Sequence, residues 1–394
     1  MKRLIFLALI GYFSICSLAQ SITDFSDLVS EIVANNTSVS ISLSTMKFEV
    51  DALSSTNNLS DPEVEFSHQW GQQGIGNKWG IGISQSFDWP GVYSSRKKQI
   101  LAEKQALNQL HLENVRQVRL DIRCTLIDVA YYKQLISLMQ EQVNRIDSLY
   151  SLYLKGAAMG EISKLDINKL KIERINVSRE LNDAEISLNT CCNKLKKMNG
   201  GKDCSAIIEK VINLPNEELL SLKHYNELAF VNNPKYAYRS NMISAVEYEK
   251  ELLQRSNIPG FSIGYNHDYE LGEHFNGISL GLTIPIFSNK HKKAAAESRK
   301  SVLMTEQLND EIQIKNIIET SYNNVVNLNR EIGLYSSVLK DSNNIRLLDM
   351  ALKSGHITLI EYLLQVNYFM DAHKYLLEIM RQKAIGMSEL SQWS

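Results

Sequence analysis

Four short segments of the chain alternate between apolar residues and small or polar ones. In 277–286, isoleucine and leucine occupy every second position, with glycine, serine, threonine and proline between them. Segments 63–70, 78–87 and 261–269 show the same period of two, which predicts β-strands. A half-buried strand would explain any one segment, but an apolar face opposite small polar residues is typical of strands between lipid and water. The residues predicted to face lipid are Trp79, Ile81, Ile83, Ile278, Leu280, Leu282 and Ile284.

Two longer segments follow a seven-residue repeat instead. An apolar heptad sustained in this way predicts coiled-coil helices. A helix over 92–155 would be about 95 Å long at about 1.5 Å per residue. Because each long helix is followed by a glycine turn and a further helical segment, we expect two long hairpins, over 92–197 and 290–390. The repeat is carried by Ile122, Val129, Ile136, Val143 and Tyr150, and then by Ile318, Val325, Ile332 and Leu339.

The order of these elements occurs twice in the chain. An offset of 197 residues separates Asn35, in a short asparagine motif, from Asn232 in an equivalent motif. An offset of 195 residues separates Gly160, which opens the turn after the first long helix, from Gly355. This duplication predicts two structural repeats, each built from short helices, two strands and a long helical hairpin. The predicted repeats are 20–215 and 216–394.

Residues 1–19 have the pattern of a secretory signal peptide. Two basic residues precede a short apolar run, and Ser17 and Ala19 supply the small residues of a cleavage site. A membrane anchor is the alternative, but the run is too short to span a bilayer. Lipid attachment at Cys16 is disfavoured because the preceding Ile15 is bulky. We expect an exported chain, and since no later run approaches about 18 apolar residues, membrane insertion would have to use strands.

Composition and charge argue against several function classes. The chain has 42 basic and 44 acidic side chains and few basic clusters, so it lacks the electrostatic footprint of a nucleic-acid-binding protein. A hydrophobic content of 44% is enough for a sizeable core, and only 19 Gly and 6 Pro favour long helices. The sequence shows no nucleophile elbow, phosphate loop or zinc-binding helix, so we predict no enzyme, no cofactor and no metal site.

The mature chain has four cysteines, Cys124, Cys191, Cys192 and Cys204. In an oxidising compartment, Cys204 could form a disulfide with Cys191 or Cys192, and free thiols are the alternative. Metal binding is disfavoured because no histidine lies at ligand spacing near them. We expect neither state of the cysteines to be functional.

Four strands are too few to span a membrane alone. An open sheet in lipid leaves backbone groups unpaired at its edges, at a cost of several kcal/mol each, so spanning strands must close into a barrel. The smallest bacterial membrane barrels have about eight strands. Several copies of the chain must therefore share one barrel, which predicts a homo-oligomer.

These features resemble the TolC-like outer-membrane efflux proteins over nearly the whole mature length. The resemblance is carried by the duplicated half, the asparagine motif of each repeat, the strand ends at 84–87 and 282–287 that lead into helices, and the paired Gly-x-Ile-Ser/Thr turns. It implies a mainly α fold with a small β part. Duplicated long-helix hairpins would form a trimeric α-helical tunnel, and four strands per chain would join a shared transmembrane barrel of about twelve strands.

The resemblance also implies a location, an activity and partners. Such a homotrimer lies in outer-membrane lipid, extends into the periplasm, and passively exports substrates that an inner-membrane pump hands over through a periplasmic adaptor. Segment 87–93 is similar to a sequence that members of the heavy-metal efflux branch carry between strand and helix, which implies a pump of the RND class that exports metal ions. A Pro-Gly break after the strand and an interfacial tyrosine explain the same residues.

Two sets of residues acquire roles from the resemblance. The two Gly-x-Ile-Ser/Thr turns match the tips at which family members dock their adaptor, and helix capping by glycine and Ser/Thr explains the same residues. Asp341 and Asp349 precede the second turn, where some family members place gate carboxylates; a solvated helix face is the alternative. The turn residues are Gly160, Glu161, Ile162, Ser163, Gly355, His356, Ile357 and Thr358.

Two other classes of exported protein carry long coiled coils. A periplasmic adaptor would have one helical hairpin flanked by lipoyl-like strands, whereas this chain has two predicted hairpins, each preceded by membrane-type strands. A trimeric surface stalk or adhesin would normally place its barrel strands at one terminus rather than twice within the chain. Both classes are therefore less favoured than an outer-membrane duct.

Overall fold

The computed structural model describes residues 25–72, 74, 76–160, 162–285, 291–339 and 344–393. These residues are mainly helical, with one antiparallel sheet, and none of the described helices has the length and apolar character needed to cross a bilayer. The predicted signal peptide lies outside them. The elements in chain order are α1 (Phe25–Asn35), α2 (Thr37–Ser55), β1 (Glu63–Gln69), β2 (Lys78–Phe87), α3 (Pro90–Ala158), α4 (Lys164–Met198), α5 (Ser205–Lys210), α6 (Leu222–Val231), α7 (Pro234–Arg255), β3 (Gly260–Glu270), β4 (Glu273–Thr283), α8 (Lys292–Leu339), α9 (Asn344–Lys353) and α10 (Leu359–Leu390).

Helices α3 and α4 form the first long hairpin. Helix α3 has 69 residues and is therefore about 100 Å long at about 1.5 Å per residue. Pro90 is its first residue, a position where the missing N–H costs no helical hydrogen bond. The heptad positions Ile122 and Val129 are fully buried, whereas Ile136 and Val143 are half-buried. The apolar seam therefore forms, and a single chain covers its later part incompletely.

The second long hairpin is built from α8, α9 and α10. Helices α8 and α9 together follow β4 as α3 follows β2, and residues 340–343 between them lie outside the described chain. Ile318 and Val325 of α8 are fully buried in a cluster with Met387 and Leu390 of α10. The heptad pattern that builds α3 therefore also builds α8.

The four strands form one antiparallel sheet in the order β1-β2-β3-β4. Strands β2 and β3 form its centre, so the sheet joins the two halves of the chain. Strand β4 begins at Glu273, before the predicted start at 277, because Leu271 and Gly272 make a two-residue hairpin turn. Both have positive φ, +53° and +86°, as a type I′ turn requires. Ile284 follows the strand, and Ile286 lies outside the described residues.

The repeated asparagine motif has the same structural role in both halves. The side chain of Asn36 accepts hydrogen bonds from two backbone N–H groups in the first turn of α2 and so caps that helix. Asn233 caps α7 in the same way. Asn36 also donates to the carbonyl of Met198 at 2.8 Å, and Asn232 donates to the carbonyl of Trp393 at 3.2 Å. Each motif thus ties an entry helix to the end of a long hairpin.

A strap, residues 211–221, connects α5 to α6 across the long helices. Lys133 of α3 donates to the carbonyl of Val211 at 2.7 Å, and Arg123 of α3 forms an ion pair with Glu217. Two anchor points on one helix fix the strap against α3. The strap therefore links the two halves of the chain at the level where α1, α3 and α4 share their core.

The four described cysteines, Cys124, Cys191, Cys192 and Cys204, are free thiols in the structure. Cys204 is buried in the core that α1, α3 and α4 share, and Cys191 packs against its edge. Burial, and then nearby carboxylates, raise the pKa of Cys124 to about 11. A raised pKa keeps the thiol protonated at neutral pH, and the protonated thiol is a poor nucleophile. Of the two states left open by the sequence, the structure shows free thiols.

Candidate functional site

The sheet has one continuous apolar face. The register places Val64 opposite Ile83, Ile83 opposite Tyr265, and Tyr265 opposite Ile278, so a row of apolar side chains crosses all four strands. An exposed apolar face of this extent marks a surface that binds lipid or another chain. Every residue predicted to face lipid lies on this face except Ile284, which follows the strand. The exposed fractions are Ile81 47%, Ile83 52%, Ile278 77%, Leu280 81% and Leu282 75%.

Aromatic pairs frame the apolar face at both of its ends. Trp79 stacks on Tyr269 with ring centroids 5.7 Å apart, and Phe87 stacks on Phe261 at 5.3 Å. Strand β2 has 10 residues, and β3 and β4 have 11 each. Membrane-spanning strands have about 9–11 residues, and aromatic girdles flank the apolar band of membrane barrels. The face therefore has the length and the borders of a membrane-spanning sheet.

The opposite face is small, polar and charged. A Cβ at Gly264 would lie 2.6 Å from Oγ of Ser279, and a Cβ at Gly82 would lie 2.6 Å from Oδ1 of Asn266. Glycine therefore lets polar side chains of neighbouring strands lie over the backbone. All charged strand residues are on this face, five acidic and one basic, and none is on the apolar face. They are Glu63, Glu65, Asp268, Glu270, Glu273 and Lys78.

The sheet is open at both edges within the described chain. Strand β1 pairs only with β2, and β4 pairs only with β3. An edge strand presents unpaired N–H and C=O groups, and in lipid each unpaired group costs several kcal/mol. In lipid, the sheet of a single chain would therefore need another strand at each edge.

The turn after α3 contains a glycine in the left-handed region. Gly160 has φ +80°, and Ser163 caps α4 by accepting a 3.0 Å hydrogen bond from the N–H two residues later. Ile162 packs on Gly156, where a Cβ would lie 2.5 Å from its Cδ1. The capping roles of Gly160 and Ser163 are therefore observed. Glu161 lies outside the described residues.

The turn after α9 has the same features, a glycine with positive φ and a capping hydroxyl residue. Gly355 has φ +73°, and the N–H of His356 donates to the preceding helical turn at 2.9 Å. Thr358 and Glu361 form a capping box, in which the N–H of Thr358 donates to Oε2 of Glu361 at 2.8 Å. Ile357 packs against the apolar cluster between the hairpins. Among the described residues, both predicted turns are thus capped ends of helical hairpins.

Asp349, the second predicted gate residue, lies between the two hairpins. Its Oδ1 accepts a 2.6 Å hydrogen bond from the hydroxyl of Tyr362, and its Oδ2 pairs with Arg145 at 3.4 Å. The three residues belong to α9, α10 and α3, so one network ties three helices together. Tyr362 is buried, and burial followed by the bond to Asp349 raises the pKa of its hydroxyl. Asp341 lies outside the described residues.

Further polar contacts, which the sequence analysis missed, join the hairpins along α4 and α10. Asn367 donates to Oε1 of Glu173 at 3.0 Å, and Lys374 pairs with Oε2 of Glu180 at 2.6 Å. Burial alone would lower the pKa of Lys374, but the hydrogen bonds and charges of Glu180 and Asp371 together outweigh it and raise the pKa. Both contacts join residues 194 apart, close to the repeat offset. These contacts could therefore have been predicted by testing whether residues at equivalent positions of the two repeats carry complementary side chains.

Two buried polar atoms near this region have no hydrogen-bond partner among the described residues. They are Nε of Arg145 and Oε1 of Gln142. A buried polar atom without a partner costs about 1–3 kcal/mol. The network between the hairpins is therefore incompletely satisfied by the described side chains.

No family model matches the sequence, and no curated protein matches it. Solved structures do match the fold. The outer-membrane channel OprN has 8% sequence identity and a TM-score of 0.78, over 94% of this chain and 89% of that chain. The CmeC outer-membrane channel of Campylobacter jejuni has 13% identity and a TM-score of 0.73, over 94% and 85%. The open state of the MtrE channel of Neisseria gonorrhoeae has 12% identity and a TM-score of 0.73, over 94% and 88%.

These matches extend over both hairpins and the sheet at an identity of 8–13%. At this identity, the matches show that this chain and these channels share a fold. The predicted mainly α fold, with long-helix hairpins and a small four-stranded part, is confirmed. This chain has the fold of the TolC-like outer-membrane channels.

Proposed function

We propose that this protein is one subunit of a homotrimeric outer-membrane efflux channel that extends into the periplasm. The channel is passive: an inner-membrane pump supplies the energy, and a periplasmic adaptor joins pump and channel. One observation carries the proposal, the sheet with an exposed apolar face of membrane-spanning length opposite a face that holds every charged strand residue. Structural relatives that are themselves outer-membrane channels support it.

The open edges of the sheet support assembly from copies of the same chain. Pairing β4 of one copy with β1 of the next would satisfy both edges, and three copies would close a barrel of about twelve strands. The half-buried positions Ile136 and Val143 would gain cover in the same assembly. The polar face would then surround a water-filled lumen, and the apolar face would contact outer-membrane lipid.

Fractionation of cells that express the native protein tests the location and the assembly together. The expected result is an outer-membrane band of trimer size on unheated electrophoresis that collapses to the monomer on heating. Barrel closure predicts the heat dependence, because each subunit is held by strand pairings at both edges of its sheet. A soluble monomer in the periplasmic fraction would overturn the proposal and return the chain to the adaptor or stalk classes.

The two capped turns are the proposed docking site of the adaptor. Large apolar side chains next to them are exposed: Met159 by 69%, Leu165 by 62% and Ile360 by 55%. Apolar side chains held on capped helix ends would suit the helical hairpin of a partner. The full proposed contact set is Gly160, Glu161, Ile162, Ser163, Gly355, His356, Ile357 and Thr358.

Photo-crosslinking from Leu165 and from Ile360 tests this docking. The expected product joins the channel to an exported protein with a long helical hairpin, identified by mass spectrometry. Ile212 on the strap is the matched control, because it is equally apolar and 58% exposed but lies away from the turns. Crosslinking to the same protein from Ile212 with equal yield would contradict docking at the turns.

We also infer that the partner pump is of the RND class, from the segment 87–93. The structure gives these residues a local role as well: the backbone N–H of Asp88 donates to the hydroxyl of Tyr93 at 3.1 Å, and Asp88 pairs with Arg96 at 3.1 Å. The segment thus fixes the passage from strand to helix. Deleting candidate pump genes and comparing sensitivity to metal ions and to organic compounds tests the class of pump.

A resting gate is the proposed role of the network around Asp349. Arg145, Asp349 and Tyr362 hold the second hairpin against the first, immediately before and after the turn at 355–358. Separating the hairpins would require breaking these bonds, so an adaptor bound at the turns could open the channel by competing with them. Asp341 remains a predicted second gate residue.

A further inference from the structure

Two histidines on the apolar face contact each other at the hairpin end of the sheet. The register sets His267 of β3 opposite Asn276 of β4, and Tyr269 opposite His274, so the two histidines are diagonal neighbours. Nδ1 of His274 lies 3.3 Å from Nε2 of His267, and their rings stack with centroids 5.2 Å apart. His274 is exposed and His267 is half-buried. Solvent therefore reaches the space beside the two nitrogens.

Asn276 fixes the protonation pattern of His267. Oδ1 of Asn276 accepts a 2.9 Å hydrogen bond from the hydroxyl of Tyr265 and lies 2.7 Å from Nδ1 of His267. A carbonyl oxygen can only accept, so Nδ1 of His267 carries the proton and Nε2 keeps its lone pair. Histidines that bind metals are oriented in the same way: one ring nitrogen donates to a carbonyl or carboxylate and the other binds the ion.

The distance between the two nitrogens fits one particular geometry. Zinc–nitrogen bonds are about 2.0–2.1 Å long, so two nitrogens on a tetrahedral zinc ion are about 3.3–3.4 Å apart. At a right angle on a square-planar or octahedral ion, bonds of the same length would give only about 2.8–3.0 Å. The observed separation of 3.3 Å is the tetrahedral one.

We propose that Nε2 of His267 and Nδ1 of His274 bind a divalent metal ion of the zinc class at the hairpin end of the apolar face. The described residues contain no group of three or more metal-ligating side chains, so water completes the coordination. The sequence predicted no metal site because these histidines are seven residues apart, and only the two-residue turn at 271–272 brings them together.

A hydrogen bond from Nδ1–H of His274 to Nε2 of His267 occupies the space when the metal is absent. Binding replaces that bond with two metal–nitrogen bonds. His274 then carries its single ring proton on Nε2 instead of Nδ1, so the ring stays neutral and no proton is released. The metal and the hydrogen bond therefore compete for the same two nitrogens, and the variants below separate them.

Calorimetric titration of the full-length, detergent-solubilised protein with zinc chloride tests the proposal. We expect one zinc ion per chain, and at least a tenfold loss of affinity in each of His267→Gln and His274→Gln. Asn276→Ala leaves both ligands in place but frees the His267 ring, so affinity should fall by about 10–100-fold, as for other residues that orient metal ligands. Titration with Co²⁺ should give the intense visible absorption of a tetrahedral site.

His68→Gln is the matched control. His68 lies on the same face and at the same end of the sheet, opposite Trp79, but its ring contacts Trp70 rather than a second histidine. Its replacement should leave zinc affinity unchanged. Equal losses in His68→Gln and His274→Gln, no zinc binding by the unmodified protein, or unchanged binding by the double variant His267→Gln/His274→Gln would each overturn the proposal. Far-ultraviolet circular dichroism verifies the fold of every variant.

Discussion

Tyr362 of α10 donates a 2.6 Å hydrogen bond to Asp349 of α9, across the turn that joins these two helices. The same carboxylate pairs with Arg145 of α3, which belongs to the other hairpin. Tyr362 is 1% exposed, so its hydroxyl has no access to bulk water when the bond is broken. This buried bond therefore holds in place the carboxylate through which the second hairpin contacts Arg145 of the first.

Replacing Tyr362 with phenylalanine should weaken the tie while keeping the packing of the ring. A hydrogen bond to a charged group contributes about 1.5–3 kcal/mol, and its loss leaves Asp349 with Arg145 alone. If the network closes the resting channel, Tyr362→Phe should raise resting conductance in planar bilayers. Tyr375→Phe is the control, because this tyrosine of α10 is 63% exposed. Unchanged conductance in folded Tyr362→Phe trimers would contradict the gate.

The parts of the fold that depend on local patterns were predictable from the sequence. The period of two placed the strands, and the heptads placed α3 and α8, because both patterns record which face of one element is apolar. The asparagine motifs were predictable as repeats, since each caps the helix that follows it. Strand β2, predicted over 78–87, has those bounds in the structure.

The parts that depend on register or on contacts between distant elements were not predictable. The early start of β4 follows from Leu271 at positive φ, a conformation that a leucine gives no reason to expect. The bond between Lys374 and Glu180 depends on how two helices lie side by side. The contact of His267 with His274 exists only because of the β3–β4 register. A single sequence does not fix such pairings.

Adjacent residues on opposite faces of β4 allow a direct test of which face meets lipid. Ile278 is 77% exposed on the apolar face, and arginine there should cost about 2–4 kcal/mol near the bilayer midplane. Gly277 points to the polar face, and a Cβ there meets no atom within 4 Å. Ile278→Arg should therefore reduce heat-labile trimers in the outer membrane, and Gly277→Arg should not. The reverse order would place lipid on the polar face.

Two glycines test whether the turn after α3 matters for function beyond folding. A Cβ at Gly160 or at Gly333 meets no atom within 4 Å, but only Gly160 has positive φ, +80°. A side chain in that region costs about 1–2 kcal/mol, whereas in the helix interior valine is slightly better than glycine. Gly160→Val should therefore raise sensitivity to toxic efflux substrates while trimers persist, and Gly333→Val should leave both unchanged. Loss of trimers in Gly160→Val would show that the turn serves folding instead.

The charge of the polar face predicts the ion preference of the channel. The polar face carries five carboxylates and one lysine, and Lys78 is paired with Glu270 at 3.2 Å. A lumen with surplus negative charge concentrates cations, so reversal potentials in a KCl gradient should show preference for K⁺. Glu65→Gln should reduce that preference, and Lys78→Gln should increase it. Shifts of the same sign in both variants would show that the face does not line the conducting path.

Alkaline pH should destabilise the folded protein through groups whose pKa is raised by burial. Burial, then nearby carboxylates, raise the pKa of Cys124 from 9.0 to about 11. Burial, then Glu378, raise the pKa of Tyr131 from 10.0 to about 12. Above pH 9 the unfolded chain loses the Cys124 proton while the folded chain keeps it. The unfolded state then binds fewer protons, so the free energy of unfolding falls as pH rises.

The variant Cys124→Ala measures how much of the loss of stability at alkaline pH is due to this thiol. The thermal midpoint of the unmodified protein, followed by circular dichroism, should fall between pH 9 and pH 10, before Tyr131 contributes. In Cys124→Ala the midpoint should be lower over this interval, because a partly buried side chain is truncated, but its fall between pH 9 and pH 10 should be shallower. Cys191, Cys192 and Cys204 also have raised pKa values, so part of the fall should remain. Parallel curves for the two proteins over pH 9–10 would show that Cys124 ionises equally in the folded and unfolded states.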